Sequence, residues 1–359
     1  MAGKGTVKGR GARSNATSRY VTDKHEAFDD GWTDDDAPVA QLATTLRPEH
    51  ARKIISTNDS PDIGFDRSIN PYKGCEHGCI YCYARPNHAY LGLSPGQDFE
   101  SRIFFKPEAA RLLEVEFSRP RYRPKRIHIG GDTDPYQPAE KSLEITRSVL
   151  EVMDRFSHPV SIITKSNLIT RDLDILGRMA ERRLVSACIS ITTLDRKLAR
   201  DMEPRAATPT RRLDAIRKLS AAGVPTMVGF APVIPGLNDH EMEAVLEAAS
   251  EAGATSAMFV TLRLPQEIKD LFREWLAEAR PDRAQRVMSL VRQARGGRDY
   301  DPEWGSRMKG TGPLADLMAQ RFATACRRYR LNIDRFEADL GAFRVPPRPG
   351  DQLSLFDAA

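Results

Sequence analysis

From residue 65 onward, short apolar runs rich in β-branched residues alternate with longer stretches of helical spacing. This alternation leaves few folds open. Candidate strands fall at 66–70, 126–131, 160–165, 185–192, 226–233 and 256–262. Candidate helices follow at about 139–157, 170–182, 209–222, 238–252 and 266–278. The strand runs are apolar throughout rather than alternating, which suits parallel strands covered by helices. In the stretch 209–222, Leu213, Ile216 and Leu219 recur at helical spacing and Gly223 closes the segment. The chain is therefore α/β, and six such units make either an open barrel or a doubly wound sheet. In both, ligands gather at the carboxyl ends of the strands.

The unusual loops obey that rule. A loop carrying Cys75, Cys79 and Cys82 follows the first strand, GGDTDP (Gly130–Pro135) the second, and Lys165-Ser166 the third. Thr192-Thr193 ends the fourth strand, and Pro232–Asn238 ends the fifth. One face should thus hold them all. The basic stretch RPRYRPKR (119–126) enters a strand instead, and is expected on the opposite face as a solvated surface.

Three of the five cysteines lie in the spacing C-x3-C-x2-C. So few cysteines, so clustered, argue against a disulfide framework and for a metal or redox site. Thiolates suit zinc or an iron–sulfur cluster. Zinc would want a fourth protein ligand, for which His77 or His88 could serve. A cubane cluster on three cysteines leaves one iron open to a substrate or cofactor. No apolar run approaches the about 18 residues of a membrane span, and the basic N-terminus lacks the apolar stretch of a secretory signal. The expectation is a cytoplasmic protein, whose net charge of +5 permits anionic partners.

The cysteine spacing, with Tyr81 before the last cysteine, a preceding strand and the βα units that follow, resembles the cluster loop of the radical S-adenosylmethionine superfamily over roughly residues 65–330. TDPYQPAE (Thr133–Glu140) and MEPRAATPTRRLDAIRKL (Met202–Leu219) resemble its spore photoproduct lyase-like branch, also labelled DNA repair photolyase-like. DPEWGSRMKGTGP (Asp301–Pro313) points to an uncharacterised bacterial subfamily within it. The resemblance implies a partial, open TIM-type (β/α)6 barrel, a 4Fe–4S cluster on Cys75, Cys79 and Cys82, and S-adenosylmethionine cleaved reductively to a 5′-deoxyadenosyl radical. It also implies an electron donor such as flavodoxin or ferredoxin, and DNA or another nucleic acid as substrate. For the cofactor it suggests the Gly130-Gly131 backbone, Asp132 in place of a frequent glutamate, Lys165 and Arg205 as carboxylate partners, Ser190 toward the ribose and Gly236 near the adenine. One departure stands out. Spore photoproduct lyases carry a hydrogen-donating cysteine shortly after the cluster, whereas here none follows Cys82 until Cys188. Cys188, Cys326 and His128 read as core residues, and Tyr83, Tyr90 and Tyr136 as packing with a wet tip. Two alternatives to the nucleic-acid reading stay open: a radical enzyme modifying a protein or metabolite, and a noncatalytic iron–sulfur or zinc module that binds nucleic acid.

Four regions are expected: a disordered tail at 1–45, the barrel with its cluster loop at 46–280, a helical extension at 281–341, and a flexible tail at 342–359. The last is proline-rich and then reads Gln352-Leu353-Ser354-Leu355-Phe356. It resembles the peptide by which bacterial polymerases and repair proteins dock on the sliding clamp, with Gln352, Leu353, Leu355 and Phe356 as contacts.

Overall fold

The structure, a computed structural model, describes residues 9–22 and 42–347. Its strands are β1 (Thr45–Pro48), β2 (Ile55–Thr57), β3 (Arg67–Ile69), β4 (Tyr72–Lys73), β5 (Arg102–Phe105), β6 (Ile127–Ile129), β7 (Val160–Thr164), β8 (Val185–Ser190), β9 (Thr226–Val233) and β10 (Ser256–Thr261). Seven form one sheet in the order β10-β9-β8-β7-β6-β3-β2. The six from β3 to β10 run parallel, and β2 closes one edge antiparallel to β3. All six expected strands are present. The expected helices appear at Glu140–Leu143 and Ile145–Arg155, Leu173–Glu181, Pro209–Ala221, Met242–Glu251 and Ile268–Ala279. This is an open (β/α)6 barrel. A small sheet in the order β1-β5-β4, absent from the sequence reading, sits beside the cluster loop.

Side chains alternate across a strand, and here the two faces differ sharply. Ile127, Ile129, Val160, Ile162, Val185, Ala187, Ile189, Val228 and Phe230 are buried in the main core under the helices. Each such aliphatic side chain contributes roughly 1.5–3 kcal/mol on full burial. The alternate positions face the concave side in register: His128 beside Ser161, Ser161 beside Ser186, Ile163 beside Cys188, Ser190 beside Gly229. Apart from Ile163, the residues of these pairs are polar or small-chained. His128 stacks on Phe65 at 4.2 Å and lies 3.1 Å from the Ser161 hydroxyl, and burial lowers its pKa to about 4.

Both expected tails need correction. Residues 9–22 fall within the region expected to be disordered, yet they pack on the cluster loop. The Gly11 and Ala12 amides donate to the buried Glu100 carboxylate at 2.8 Å each, and Arg10 donates to the Glu100 and Leu42 carbonyls. A few strong polar contacts to the folded body do here what apolar residues do elsewhere. At the other end, Phe343 packs among Phe117, Tyr122, Phe156 and His158. The ordered body therefore reaches past residue 341. Tyr122 of the basic stretch meets His158 at 2.8 Å, and both precede strand starts, so this stretch lies at the amino ends of the strands. The segment Gln352–Phe356 lies outside the described residues.

Candidate active site

The cysteine loop leaves β3 and β4 and is held at both ends by main-chain bonds. The Cys75 amide donates to the Phe99 carbonyl at 2.9 Å, and Ile80 to Met202 at 3.0 Å. Beneath it lies Arg85, fully buried. Its guanidinium donates to the carbonyls of Cys79 (2.9 Å), Gly78 (3.1 Å), Pro95 (3.1 Å) and Gly96 (2.9 Å), and pairs with Glu100 at 2.5 Å. Gly11 fits against this loop because it has no side chain. A Cβ there would stand 1.8 Å from the Gly78 carbonyl oxygen.

Cys75 and Cys79 are buried and Cys82 half-buried. Burial raises all three thiol pKa values, that of Cys79 to about 12, and the other two cysteines and Asp134 add to the rise at Cys75. Thiolates so placed need a cationic group to offset their charge, as a metal cluster does. The histidines do not join them. His88 lies 3.1 Å from the Arg102 carbonyl and edge-on to Phe99. His77 Nδ1 lies 3.2 Å from Asp134 but is not aligned for a hydrogen bond. Among the described residues, no three of His, Cys, Asp or Glu gather closely enough to hold a single metal ion. The donor set that remains, three cysteines on one loop, fits a cluster with a ligand at each of three corners.

The other candidates fall around this loop in different ways. Gly130 takes φ +104°, and a Cβ there would lie 2.6 Å from the Ile163 carbonyl oxygen, so only glycine fits. The Tyr83 hydroxyl donates to the Gly131 carbonyl, tying the cluster loop to the end of β6. Asp132 bonds the Asn70 side chain through its amide at 2.9 Å, and burial raises its carboxyl pKa. Lys165 is not an exposed strand end. It is half-buried, with its ammonium 5.7 Å from the centre of the Tyr81 ring, and its charge lowers the pKa values of Cys79 and Cys82 against the effect of burial. Its amide donates to Asp134 at 2.7 Å. Burial pushes the Asp134 carboxyl up, but His77, the Lys165 amide and Thr164 together outweigh it and hold the pKa at about 2. Ser190 is buried, its hydroxyl 3.4 Å from the Ala231 carbonyl on the concave side. Arg205 pairs with Glu76 at 3.1 Å, not with its neighbour Glu203. Gly236 makes a turn at φ +78° and packs toward Leu290. That packing by itself accounts for a glycine there.

Sequence reasoning missed the buried pair under Tyr81. Glu203 is fully buried, pairs with Arg212 and accepts from the Tyr81 hydroxyl and from Thr192. Arg212 also donates to the Ser190 carbonyl at 3.0 Å. Burial alone would raise the Glu203 pKa, but Arg212 and Lys165 hold it at about 2. Both residues stand in EPRAATPTRR, nine positions apart, too far along the chain for local spacing to mark them as a pair.

Comparison with known proteins agrees with this geometry. A family model described as the Radical SAM superfamily matches residues 69–249. An uncharacterised protein of Mycobacterium tuberculosis is 34% identical over 271 residues, covering 75% of this chain and 76% of that one. Another, from Methanocaldococcus jannaschii, is 28% identical over 191 residues, covering 53% and 68%. Among solved structures, spore photoproduct lyase complexed with dinucleoside spore photoproduct superimposes with a TM-score of 0.55 at 16% identity, covering 79% of this chain and 78% of that one. A double mutant of that lyase with bound AdoMet and dinucleoside spore photoproduct gives 0.54 at 16% identity over the same shares. With three cysteines on one loop at the mouth of an open (β/α)6 barrel, and the family match over half its length, the chain belongs to the radical SAM superfamily and is a radical SAM enzyme, whose cofactors are a 4Fe–4S cluster and S-adenosylmethionine.

Proposed function

We propose that Cys75, Cys79 and Cys82 hold the cluster and that the enzyme acts on DNA or another nucleic acid. The observation that carries the first part is the meeting, at one barrel mouth, of three buried or half-buried cysteines, the half-buried cation Lys165 and the close-approach backbone of Gly130. The chemistry supplied there is reductive cleavage of S-adenosylmethionine to methionine and a 5′-deoxyadenosyl radical. The protein's part is to position and to exclude water. Lys165 and Arg205 take the methionine carboxylate, Gly130, Gly131 and Asp132 lie toward its amine, Ser190 toward the ribose and Gly236 toward the adenine. The nucleic-acid part is supported by the net charge of +5 and by the fold neighbour complexed with a dinucleoside photoproduct. The chain departs from that neighbour's branch in having no cysteine between Cys82 and Cys188. Its product is therefore expected to differ.

Two outcomes test this reading. With dithionite as reductant, the reconstituted enzyme should release 5′-deoxyadenosine. Lys165→Ala and Arg205→Ala should each weaken S-adenosylmethionine binding about tenfold, the loss of about 1.4 kcal/mol of charge-assisted hydrogen bonding, with iron content unchanged. Equilibrium binding equal to the parent's in both variants would reject this placement of the cofactor. In the cell, a flavodoxin or ferredoxin is the proposed reductant.

Docking on the sliding clamp through Gln352, Leu353, Leu355 and Phe356 is proposed from the sequence alone. A peptide of the last ten or so residues should bind the organism's clamp with a Kd on the order of micromolar, about −8 kcal/mol, and Leu355→Ala/Phe356→Ala should abolish that binding. A calorimetric titration that is flat for the parent peptide would reject it.

A further inference from the structure

The segment following the helix Ala284–Gln293 crosses the open edge of the barrel. The Thr261 amide and hydroxyl of β10 donate to the carbonyls of Met308 and Lys309 at 2.9 and 2.8 Å. Arg307 then reaches Asp62, in the loop between β2 and β3, at 2.6 and 2.8 Å. Two arginines lie where this segment meets the carboxyl end of β10, and neither forms an ion pair among the described residues. Arg295 is buried, and its guanidinium donates only to carbonyls, those of Thr261, Leu262, Ser306 and Arg307. Arg263 is half-buried. Its guanidinium contacts the Met308 sulfur at 3.5 Å and lies 5.2 Å from the centre of the Tyr83 ring, and its Nε is buried without a partner. Burial, and then Arg263, lower the Arg295 pKa to about 10. Asp301, an acid whose charge acts on Arg295, is itself bonded by the Ser306 hydroxyl and the Glu303 amide. Uncompensated cationic charge in a partly dry place costs stability, and structures keep it where an anion offsets it.

Two exposed aromatic rings belong to the elements that meet here, and Arg263 lies over one of them, that of Tyr83. Tyr83, next to Cys82, is 47% exposed, and Trp304, on the crossing segment, is 58% exposed. Lys309 on that segment is exposed and has no ion pair among the described residues. Cations interleaved with exposed rings are how proteins hold single-stranded nucleic acid, the rings stacking on bases and the cations taking phosphates.

We infer that Arg263, with Tyr83 and the Trp304–Lys309 segment, forms a phosphate subsite that draws one strand of nucleic acid to the barrel mouth beside the cluster loop. This rests on the nucleic-acid reading above. The test is fluorescence anisotropy of the full-length protein with a labelled single-stranded decadeoxynucleotide across a salt series. Arg263→Gln should weaken binding about tenfold and reduce the salt slope by about 0.7, the contribution of one phosphate on a single strand. Arg263→Lys should recover part of the affinity. Trp304→Ala should cost about five- to a hundredfold, as loss of one stacked base does. Arg119→Gln, the same charge change at the amino ends of the strands, should bind as the parent does. The thermal midpoint of each variant establishes that it is folded. Binding by the parent undiminished in Arg263→Gln, or equally diminished in Arg119→Gln, would overturn the subsite and leave the nucleic-acid reading standing. Failure of the parent to bind the oligonucleotide at any salt would overturn both. Full competition by thymidine monophosphate at the oligonucleotide's own concentration would assign the subsite to a free nucleotide and overturn the strand.

Discussion

Anaerobically reconstituted protein is expected to hold about four irons per chain, the content of one cubane. Cys75→Ala, Cys79→Ala and Cys82→Ala should each abolish it, while Cys188→Ala and Cys326→Ala retain it. The difference follows from position. Cys75, Cys79 and Cys82 lie on one loop at the barrel mouth, fixed by the Phe99 and Met202 carbonyls and by Arg85. Cys188 sits within β8 against Gly229, and a Cβ on Gly229 would come within 3.2 Å of its sulfur. Cys326 lies in the helix Pro313–Arg328, beside Asn332. Neither has a second cysteine near it. Iron and sulfide analysis with visible absorption reads the result. Colourless, zinc-loaded protein from anaerobic, iron-replete cells would overturn the cluster and return the loop to a zinc site.

The second large effect is expected at Glu100. Glu100→Ala should cost on the order of 3–5 kcal/mol, the usual penalty for leaving one partner of a buried pair uncompensated. Both side chains of this pair are fully buried, and Arg85 would be left with its charge unmatched among carbonyls. The same change removes the acceptor for the Gly11 and Ala12 amides, so residues 9–22 should become open to trypsin at Arg10 and Arg13 under conditions where the parent resists. Arg119, about half exposed in its pair with Glu116, is the contrast, and Glu116→Ala should change stability by less than about 1 kcal/mol. Urea denaturation of the two variants checks the difference. A loss at Glu100 no larger than that at Glu116 would show that the pair does not hold the loop.

The barrel was legible because its strands and helices carry the apolar face on which the sheet is built. Ile127, Ile162, Val185 and Val228 belong to that face, and they repeat at intervals that a linear reading detects. The polarity of the opposite face was not legible. Ser161, Cys188, Ser190 and Gly229 are small enough to pass as part of an apolar run, and only the register shows that they line one concavity. The position of the cysteines and Lys165 at strand ends could be read because each departs from its surroundings in composition. Arg10 and Glu100 could not. They are 90 positions apart, and nothing local to residues 9–22 reveals the carboxylate that anchors them. The partners of Glu203 and Arg205 could not be read either, because sequence proximity is a weak guide to pairing across a fold. Arg205 reaches Glu76 and Glu203 takes Arg212. The strand pair β4–β5 and β1 escaped because they are two to four residues long, too short for a period to register.

The crossing between β10 and the β2–β3 loop has a mechanical consequence. A fully closed barrel is sewn by a ladder of main-chain bonds, and widening it breaks several at once. Here the seam at Asp62 is side-chain work: the Arg307 guanidinium, the Ser60 hydroxyl and one amide, that of Gly305. Such a clasp can open as a unit while every strand of the seven-stranded sheet keeps its ladder. The circumference of the mouth is thus set by a few polar contacts, and these weaken in salt, whereas the main-chain ladders of the sheet do not. The compliant part of the rim is then the edge between β10 and the β2–β3 loop.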